Sequence, residues 1–331
     1  MTGQTPNRAI ARVDVVDVAP ALDPAGPAAE KHSVAAELLA SFRRTGFAVI
    51  TGHQVPVELF ATMSEVSEAF FALSRQEKLA AAFPAPGILR GYEPLDPEDD
   101  PEAPRMESFI VNRPVPPGDQ PEGSVEYKLW RWPNVWPERP EQLRPVCERY
   151  YQEMEQLGDR LLELVATGLG LPPTWFATSF DRHFSNLVVN HYPPRPARHD
   201  TLPRSRPHTD HGVLTLLYRP DEPGGLEVQA RGRWCRVPFL AGSLVLNVGD
   251  LLERWTGGVL RATPHRVVTP AGAAAMVRRQ SVGYFQQPNP DALVEPAPAL
   301  QGVPQGLRYR PVRAGVHISR KELGRHAVAA L

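Results

Sequence analysis

The second half of the chain is a series of short apolar segments separated by turns rich in Gly and Pro. Seven such segments predict strands, at 186–192, 213–218, 226–229, 233–237, 244–248, 264–269 and 276–286. Many short strands at regular spacing, with no helix between them and no Gly-rich phosphate loop, are typical of a double-sheet jelly roll. The 37 prolines among 331 residues, about twice the usual share of roughly 5%, fit many ordered loops between such strands.

Helical periodicity is concentrated before these strands. Apolar residues recur at helical spacing over 33–44, where Ser33 is expected to cap the helix and Gly46 to end it, and over 141–168. Shorter segments predict a further helix after Pro56 and strands at Val13–Val18, Phe47–Ile50 and Ser108–Asn112.

These patterns predict a mixed α and β fold. Residues 1–125 are expected to form a helical N-terminal lobe, and residues 126–331 a double-stranded β-helix, or distorted jelly roll, with a bracing helix and flanking helices. We expect the two parts to form a single integrated unit.

Composition bears on partners and compartment. Lys and Arg (36) nearly balance Asp and Glu (37), and a net charge of -1 gives no broad field that favours nucleic acid or an anionic membrane. We therefore expect a small-molecule substrate and a monomer or homodimer. With two cysteines, Cys147 and Cys235, no signal segment and no apolar run of about 18 residues, the sequence predicts a cytoplasmic protein with free thiols.

A possible metal site is formed by His208, Asp210 and His265. Two residues that are two positions apart on a strand project to the same side, so His208 and Asp210 can reach one ion, whereas His211 faces the other way with Thr209 and is expected to support the site or lie at the surface. Two imidazoles and one carboxylate leave three positions open on non-haem Fe(II), which suits the activation of O2.

An organic carboxylate could be held beside such a metal by Arg279 and Ser281. Arg offers a planar fork of donors, Ser281 follows on the same face of the strand, and Tyr192 is a further candidate donor. Arg278 is expected to make a surface salt bridge and is the alternative should the register differ. A five-carbon keto acid that chelates the metal would need such an anchor for its far carboxylate.

Several ordered motifs carry a resemblance to a family. The chain resembles the Fe(II)- and 2-oxoglutarate-dependent dioxygenases of the isopenicillin N synthase-like superfamily over nearly its whole length. The matching segments are Gly46-Phe47-Ala48-Val49-Ile50-Thr51-Gly52-His53, Arg90-Gly91-Tyr92, Asn190-His191-Tyr192-Pro193-Pro194, His208-Thr209-Asp210, Asn247-Val248-Gly249-Asp250, His265-Arg266-Val267 and Arg279-Gln280-Ser281.

The resemblance implies iron bound by His208, Asp210 and His265, with 2-oxoglutarate chelated to it and its far carboxylate held by Arg279 and Ser281. It further implies that O2 is consumed, that succinate and carbon dioxide are released, and that the substrate is hydroxylated by default, or else desaturated, cyclised or epoxidised.

The chain also departs from the family pattern. The turn over 270–275 is longer than usual, which makes the register to Arg279 less defined, and only Glu107 matches an Asp-x-Lys-Glu pattern of plant relatives. We expect Arg90, Tyr92 and Glu107 to contact the substrate. For the C-terminal segment, which contains Arg313, His317 and Arg320, two alternatives stay open: it folds over the mouth of the barrel, or it forms a polar tail helix.

Three other functions remain open from the sequence. An oxidase like isopenicillin N synthase would use Arg279 and Ser281 for a substrate carboxylate and need no keto acid. An ethylene-forming enzyme would fragment 2-oxoglutarate itself. A non-catalytic jelly roll with a structural metal is disfavoured, because structural zinc sites prefer four protein ligands, usually including Cys.

Overall fold

A computed structural model describes residues 13–23, 25–85, 87–95, 106–114, 132–194, 203–220, 225–269, 276–300 and 309–328. The expected boundary between residues 125 and 126 and the long turn over 270–275 lie outside these residues. None of the helices in the described part of the chain has the length and hydropathy needed to cross a membrane.

Seven α-helices lie in these ranges. They are α1 (Ala19–Leu22), α2 (Ala28–Thr45), α3 (Val57–Phe71), α4 (Arg75–Leu79), α5 (Leu143–Gly168), α6 (Asp250–Trp255) and α7 (Ala314–Val328), with short 3-10 helices at Pro173–Ser179 and Pro298–Leu300.

Fourteen strands are described. They are β1 (Val15–Asp17), β2 (Phe47–Thr51), β3 (Gly91–Glu93), β4 (Glu107–Asn112), β5 (Asn186–Tyr192), β6 (Ser205–His208), β7 (Leu214–Tyr218), β8 (Leu226–Ala230), β9 (Arg233–Arg236), β10 (Leu244–Val248), β11 (His265–Val267), β12 (Arg279–Gln286), β13 (Leu293–Val294) and β14 (Val312–Arg313).

Twelve of these strands form the two facing sheets of a jelly roll, and β13 pairs with β14 in a separate two-stranded sheet. The large sheet has the order β1-β2-β10-β7-β12-β5-β4-β3, and the small sheet has the order β6-β11-β8-β9. All pairs in both sheets are antiparallel except β1 with β2. The predicted jelly-roll fold with flanking helices is thereby confirmed.

The N-terminal region is more than a helical lobe. Its strands β1 to β4 add to both edges of the large sheet, where β2 pairs with β10 and β4 pairs with β5. One sheet therefore contains strands from both parts of the chain. The helices of this region pack on the outer face of the same sheet, where α2 and α3 contact α5.

The two faces of the large sheet have different roles. On β12, Val282 and Tyr284 belong to the main hydrophobic core with the helices, and Leu187 and Val189 of β5 do the same. Side chains at the alternate positions project to the opposite face, toward the small sheet. We call these the helix face and the inner face. A side chain's position in the register therefore decides whether it can line the space between the sheets.

Helix α2 begins earlier than the sequence pattern suggested. It starts at Ala28, after Pro27, so Ser33 lies inside the helix and not at its N-cap. Pro lacks a backbone N–H and fits a helix start, and the alanines that follow favour the helix. Gly46 ends α2 as expected, in the left-handed region with φ 72°.

Gly46 fixes how α2 turns into β2. A Cβ at this position would lie 2.4 Å from Thr263 Oγ1 and 2.6 Å from the carbonyl oxygen of Arg261. We expect Gly46→Ala to lower the free energy of unfolding by about 2 kcal/mol or more, because backbone strain adds to the clash. Urea unfolding measures this change.

Gly170→Ala is the matched control for this substitution. Gly170 also has a positive φ, of 73°, but nothing lies within 4 Å of an added Cβ. It should cost only the backbone term of about 1 kcal/mol. Equal losses for the two variants would contradict a steric contribution at Gly46.

Candidate active site

The two histidines of the predicted metal site lie opposite each other in the small sheet. His208 ends β6, His265 begins β11, and the two residues are register partners. Asp210 follows two residues after β6. One ligand atom from each of the three side chains lies within 4.8 Å of the other two. Among the described residues, this is the one group of His, Cys, Asp and Glu side chains that meets the criterion.

Hydrogen bonds orient all three side chains toward a common point. The Nδ1 atoms of His208 and His265 lie 2.7 Å and 3.2 Å from the carbonyl oxygens of Arg206 and Thr263. Nδ1 is the donor in that geometry, which leaves each Nε2 with its lone pair. The Nε2 atoms of His208 and His265 are 3.6 Å and 3.5 Å from Asp210 Oδ1.

The second carboxylate oxygen of Asp210 is occupied by hydrogen bonds. Asp210 Oδ2 accepts hydrogen bonds from Thr215 Oγ1 at 2.5 Å and from Asn247 Nδ2 at 2.7 Å. Oδ1 is thus directed toward the two imidazoles. Two imidazole nitrogens and one carboxylate oxygen fit the donor set of an open-sided Fe(II) site.

Asp210 is ionised in this setting. Burial acts to raise the pKa of its carboxyl group, but the nearby His265 and His208 and the hydrogen bonds from Thr215 and Asn247 outweigh burial and lower the pKa below its usual value. The buried carboxylate is therefore a ready metal ligand.

His211 belongs to a neighbouring cluster around Asp250. Its Nδ1 lies 3.7 Å from Asp250 Oδ2, which also receives Lys321 Nζ at 2.8 Å and lies 3.6 Å from His317 Nε2. Burial acts to raise the pKa of Asp250, but these neighbouring groups and Thr209 lower it far more. His211 thus has the supporting position that strand alternation predicted.

The C-terminal segment forms helix α7. His317 faces Asp250, Arg313 donates from Nη1 to the carbonyl oxygen of Asp291 at 3.0 Å, and Arg320 is exposed. The segment is thus helical over Ala314–Val328 and contacts Asp250 through His317 and Lys321. Its contact with Asp250 connects this helix to the metal site, because the backbone N–H of Asp250 donates to the carbonyl oxygen of Asp210 at 2.8 Å.

A cavity on the inner face contains the predicted carboxylate anchors. It is lined by Tyr192, Leu217, Arg219, Leu226, Val267, Arg279, Gln280 and Ser281. Arg279 is the register partner of Tyr192, and both Arg279 and Ser281 are buried. Arg278, in contrast, pairs with Glu68 at the surface. The register thus places Arg279, and not the alternative Arg278, in the cavity.

Tyr192 completes this polar group. Burial raises the pKa of its hydroxyl, and the Ser281 hydrogen bond and the positive charges of Arg204 and Arg279 offset part of that shift. Its hydroxyl therefore stays protonated and can donate. The guanidinium of Arg204, itself buried, lies 5.7 Å from the centre of the Tyr192 ring.

One row of inner-face residues runs across the large sheet from the metal site. Asn247 and Thr215, which hold Asp210, are register partners. The row continues through Phe285 on β12 and Asn186 on β5 to Asn112 on β4. Phe285 and Asn186 are partly exposed, as are Val188 and Asn190 on the same face of β5. We call this row, which starts at the two residues that hold Asp210, the floor of the inner face.

Side-chain amides dominate the outer end of this row. Gln287 Nε2 donates to Asn186 Oδ1 at 2.8 Å, which fixes the orientation of the Asn186 amide. Asn134 Nδ2 donates to the carbonyl oxygen of Asn112 at 2.7 Å, and Asn112 Nδ2 donates to that of Leu89 at 2.9 Å. The floor is therefore polar and uncharged at this end.

Two of the expected substrate contacts are on the helix face. Tyr92 and Glu107 alternate with inner-face residues, and the Tyr92 hydroxyl donates to Glu107. Glu107 also receives Lys78 Nζ at 2.7 Å and lies 2.8 Å from His191 Nδ1. The structure does not bring these residues to the metal site, because a shift of one position along a strand reverses the face.

Arg90, the third expected substrate contact, is also not brought to the metal site. It is 1% exposed, and its Nε donates to the carbonyl oxygen of Trp132. Burial lowers the pKa of the Arg90 guanidinium, and Tyr151 of α5 offsets part of that decrease. Arg90 is therefore a buried residue that hydrogen-bonds to a backbone carbonyl oxygen.

Sequence reasoning missed four residues of the site. Thr215 and Asn247 orient Asp210, and Arg204 and Arg219 add positive charge near the cavity. Asn247 was part of a recognised motif without an assigned role, and Thr215 is a polar residue between Leu214 and Leu216 in a buried strand. Arg204 and Arg219 carry no local signal, because only the closed fold brings them together.

Comparisons with known proteins address the family. The model of the 2OG-Fe(II) oxygenase superfamily matches residues 183–288, and that of the N-terminal region of non-haem dioxygenases in morphine synthesis matches residues 13–139. A proline hydroxylase of Petromyces alliaceus is 32% identical over 82% of this chain and 87% of its own length. The chain belongs to the 2OG-Fe(II) oxygenase superfamily.

Further relatives agree with this family. The validamycin A dioxygenase of Streptomyces hygroscopicus subsp. limoneus is 30% identical over 89% of this chain and 82% of its own length. A solved 2OG-Fe(II) oxygenase family protein from Caulobacter crescentus has a TM-score of 0.82 at 29% identity and covers 95% of this chain and 99% of its own. A full-length Neurospora crassa protein solved in complex with alpha-KG has a TM-score of 0.82 at 24% identity, covering 94% of this chain and 95% of its own, which supports the shared fold.

Membership settles the class of chemistry. The protein is an oxidoreductase of the 2-oxoglutarate-dependent dioxygenase family, with Fe(II) as its metal, 2-oxoglutarate as its cosubstrate and O2 as its oxidant. An oxidase without a keto acid is not favoured, because relatives are named as 2-oxoglutarate-dependent enzymes. A non-catalytic metal-binding jelly roll is not supported either.

The hydrogen bond from Thr215 to Asp210 gives a testable prediction. Thr215→Val removes the hydroxyl and keeps the shape, so Asp210 loses one of the two donors that orient it. We expect Fe(II) affinity to fall about tenfold, the lower end of the usual range for such supporting contacts. Anaerobic competition with a coloured chelator measures the affinity.

Thr62→Val is the control. The Thr62 hydroxyl donates only to the carbonyl oxygen of Glu58 within α3, at 2.8 Å, so its loss should leave Fe(II) affinity unchanged. Equal affinities for wild type and Thr215→Val would show that Asn247 alone suffices to orient Asp210.

Proposed function

We propose that the protein hydroxylates, desaturates or cyclises a small polar metabolite, such as an amino acid or a natural-product intermediate, with release of succinate and carbon dioxide. His208, Asp210 and His265 hold the Fe(II), while Arg279, Ser281 and Tyr192 hold the 2-oxoglutarate. The observation that carries the proposal is the convergence of His208 Nε2, His265 Nε2 and Asp210 Oδ1, together with a cavity that contains Arg279 and reaches Val267, two residues along β11 from His265.

The chain's own residues bind and orient the reactants. Bound Fe(II) supplies O2 activation coupled to oxidative decarboxylation of the keto acid. Arg279 and Ser281 offer charge-assisted hydrogen bonds to its far carboxylate, so its keto end is directed toward the triad. Burial of these donors excludes competing water and strengthens the interaction.

The floor beside the metal site supports a polar substrate. Phe285 offers an apolar surface next to Thr215, and the Asn186 amide, fixed by Gln287, offers hydrogen bonds without charge. A substrate with a neutral polar group and a short apolar part fits this floor. Relatives named for proline, homoarginine and validamycin A are consistent with polar substrates of several kinds.

Arg279→Gln tests the cosubstrate site. We expect anaerobic titration of the Fe(II) protein with 2-oxoglutarate to give a visible iron-to-keto-acid absorption band in the wild type. In Arg279→Gln, loss of a charge-assisted contact should raise the Kd for 2-oxoglutarate about 10- to 100-fold. Arg278→Gln is the matched neighbour, and because Arg278 pairs with Glu68 at the surface its Kd should stay at the wild-type value.

Two results would contradict the assignment. If the iron-loaded wild type gives no band with 2-oxoglutarate, the keto-acid site is wrong. If Arg278→Gln weakens binding and Arg279→Gln does not, Arg278 and not Arg279 is the anchor.

The substrate class needs a separate measurement. Amino acids, their amides and cyclic polyols can be screened for stimulation of succinate formation, first in the wild type and then in Asn186→Asp. We expect the wild type to favour compounds with neutral polar groups. The added carboxylate should shift stimulation toward cationic compounds, and an unchanged profile would remove Asn186 from the substrate site.

A further inference from the structure

The cavity that contains Arg279 has a second guanidinium on its wall, that of Arg219. Arg219 follows directly after β7 and is 9% exposed. It lines the same cavity as Tyr192, Arg279 and Ser281. The roles assigned above to the cosubstrate site do not use this residue.

The register of β7 and β12 locates Arg219 relative to the anchors. Along β7, Thr215 and Leu217 project to the inner face, and Arg219 is the next residue in that alternation. Tyr218 is the register partner of Val282, so continuing the ladder by one residue brings Arg219 beside Ser281. Arg219 therefore lies at the end of the cavity where Ser281 and Arg279 are, roughly 13 Å along the strand from Thr215.

Two contacts that orient Arg219 are with uncharged groups. One terminal nitrogen, Nη2, donates to the carbonyl oxygen of Pro238 at 2.7 Å, and the guanidinium lies 5.8 Å from the centre of the Phe239 ring. These contacts hold the Arg219 side chain at the cavity wall, where it lines the same space as Arg279 and Ser281. Two guanidinium groups, each protonated at neutral pH, therefore lie at one end of the cavity.

We propose that Arg219 is a second anchor for the far carboxylate of the keto acid, and that it makes the site selective for dicarboxylic 2-oxo acids. This inference rests on the proposed cosubstrate site. A carboxylate beside Ser281 is then shared between Arg279 and Arg219, each of which offers charge-assisted hydrogen bonds. A 2-oxo acid with an apolar end cannot make these contacts with either guanidinium group and binds poorly.

A pair of ligands of the same length separates this role from general effects on the site. 2-Oxoglutarate and 2-oxopentanoate share five carbons and the chelating keto acid end, and they differ in a carboxylate against a methyl group. Anaerobic titration of the Fe(II) protein, monitored by the visible absorption band, gives the Kd of each. In Arg219→Gln we expect the Kd for 2-oxoglutarate to rise about tenfold or more, while that for 2-oxopentanoate changes less than about twofold.

Two further variants make the test decisive. Arg233→Gln removes an exposed arginine of β9 and should change neither Kd. Arg219→Lys keeps the charge and loses the planar fork, so we expect a smaller rise for 2-oxoglutarate, about threefold or more. It also serves as the test should Arg219→Gln fail to fold, which circular dichroism reports.

The outcomes distinguish this inference from the proposed function. A wild-type band together with an unchanged 2-oxoglutarate Kd in both Arg219 variants overturns the role of Arg219 and leaves the cosubstrate site intact. An equal loss for both ligands also overturns it, because the effect would then be on the cavity as a whole. Absence of a band in the wild type instead removes the cosubstrate site itself.

Discussion

The active site depends on one buried carboxylate, that of Asp210, whose orientation is set by hydrogen bonds to only one of its two oxygens. Asp210 Oδ2 accepts hydrogen bonds from Thr215 and Asn247 on two adjacent strands of the large sheet, so Oδ1 faces the histidines of the small sheet. The hydrogen bonds to Oδ2 offset the free-energy cost of burying the carboxylate charge. If both oxygens faced the histidines, these hydrogen bonds would be lost. The two sheets are thus joined at the metal site, and the large sheet determines the orientation of a ligand that follows a strand of the small one.

The same register organises the rest of the inner face. Asn247 and Thr215 start a row that leads through Phe285 to Asn186, while positions two and four residues further along β7 lead to Leu217 and Arg219. Substrate floor and keto-acid cavity therefore extend in two directions from one point. Hydrogen-bonded strands connect the two regions. Movement in one region therefore has little freedom to compensate for a substitution in the other.

Strand periodicity and a spaced motif were sufficient to predict the fold and the metal triad. Strands β5 and β10 match their predicted bounds, and His208, Asp210 and His265 converge as the motif required. The substrate residues were less accessible. Tyr92 and Glu107 were chosen by motif, without a way to tell which face of the sheet they occupy. That face depends on pairing with strands up to 84 residues away in sequence. Ser205 to His208 lacks apolar alternation, so β6 gave no signal as a strand.

The pairing of β2 with β10 has a consequence for how the protein is made. Phe47 of β2 is the register partner of Asn247, and its ring packs edge-on against His265 at 5.4 Å. During synthesis, β2 leaves the ribosome long before β10 or His265 has been made. The edge of β2 that pairs with β10 therefore has no backbone partner while most of the chain is translated. Closure of so long a loop is slow. His265, which belongs to the proposed metal site, follows β10 in the chain, so this site can assemble only after most of the protein has been synthesised.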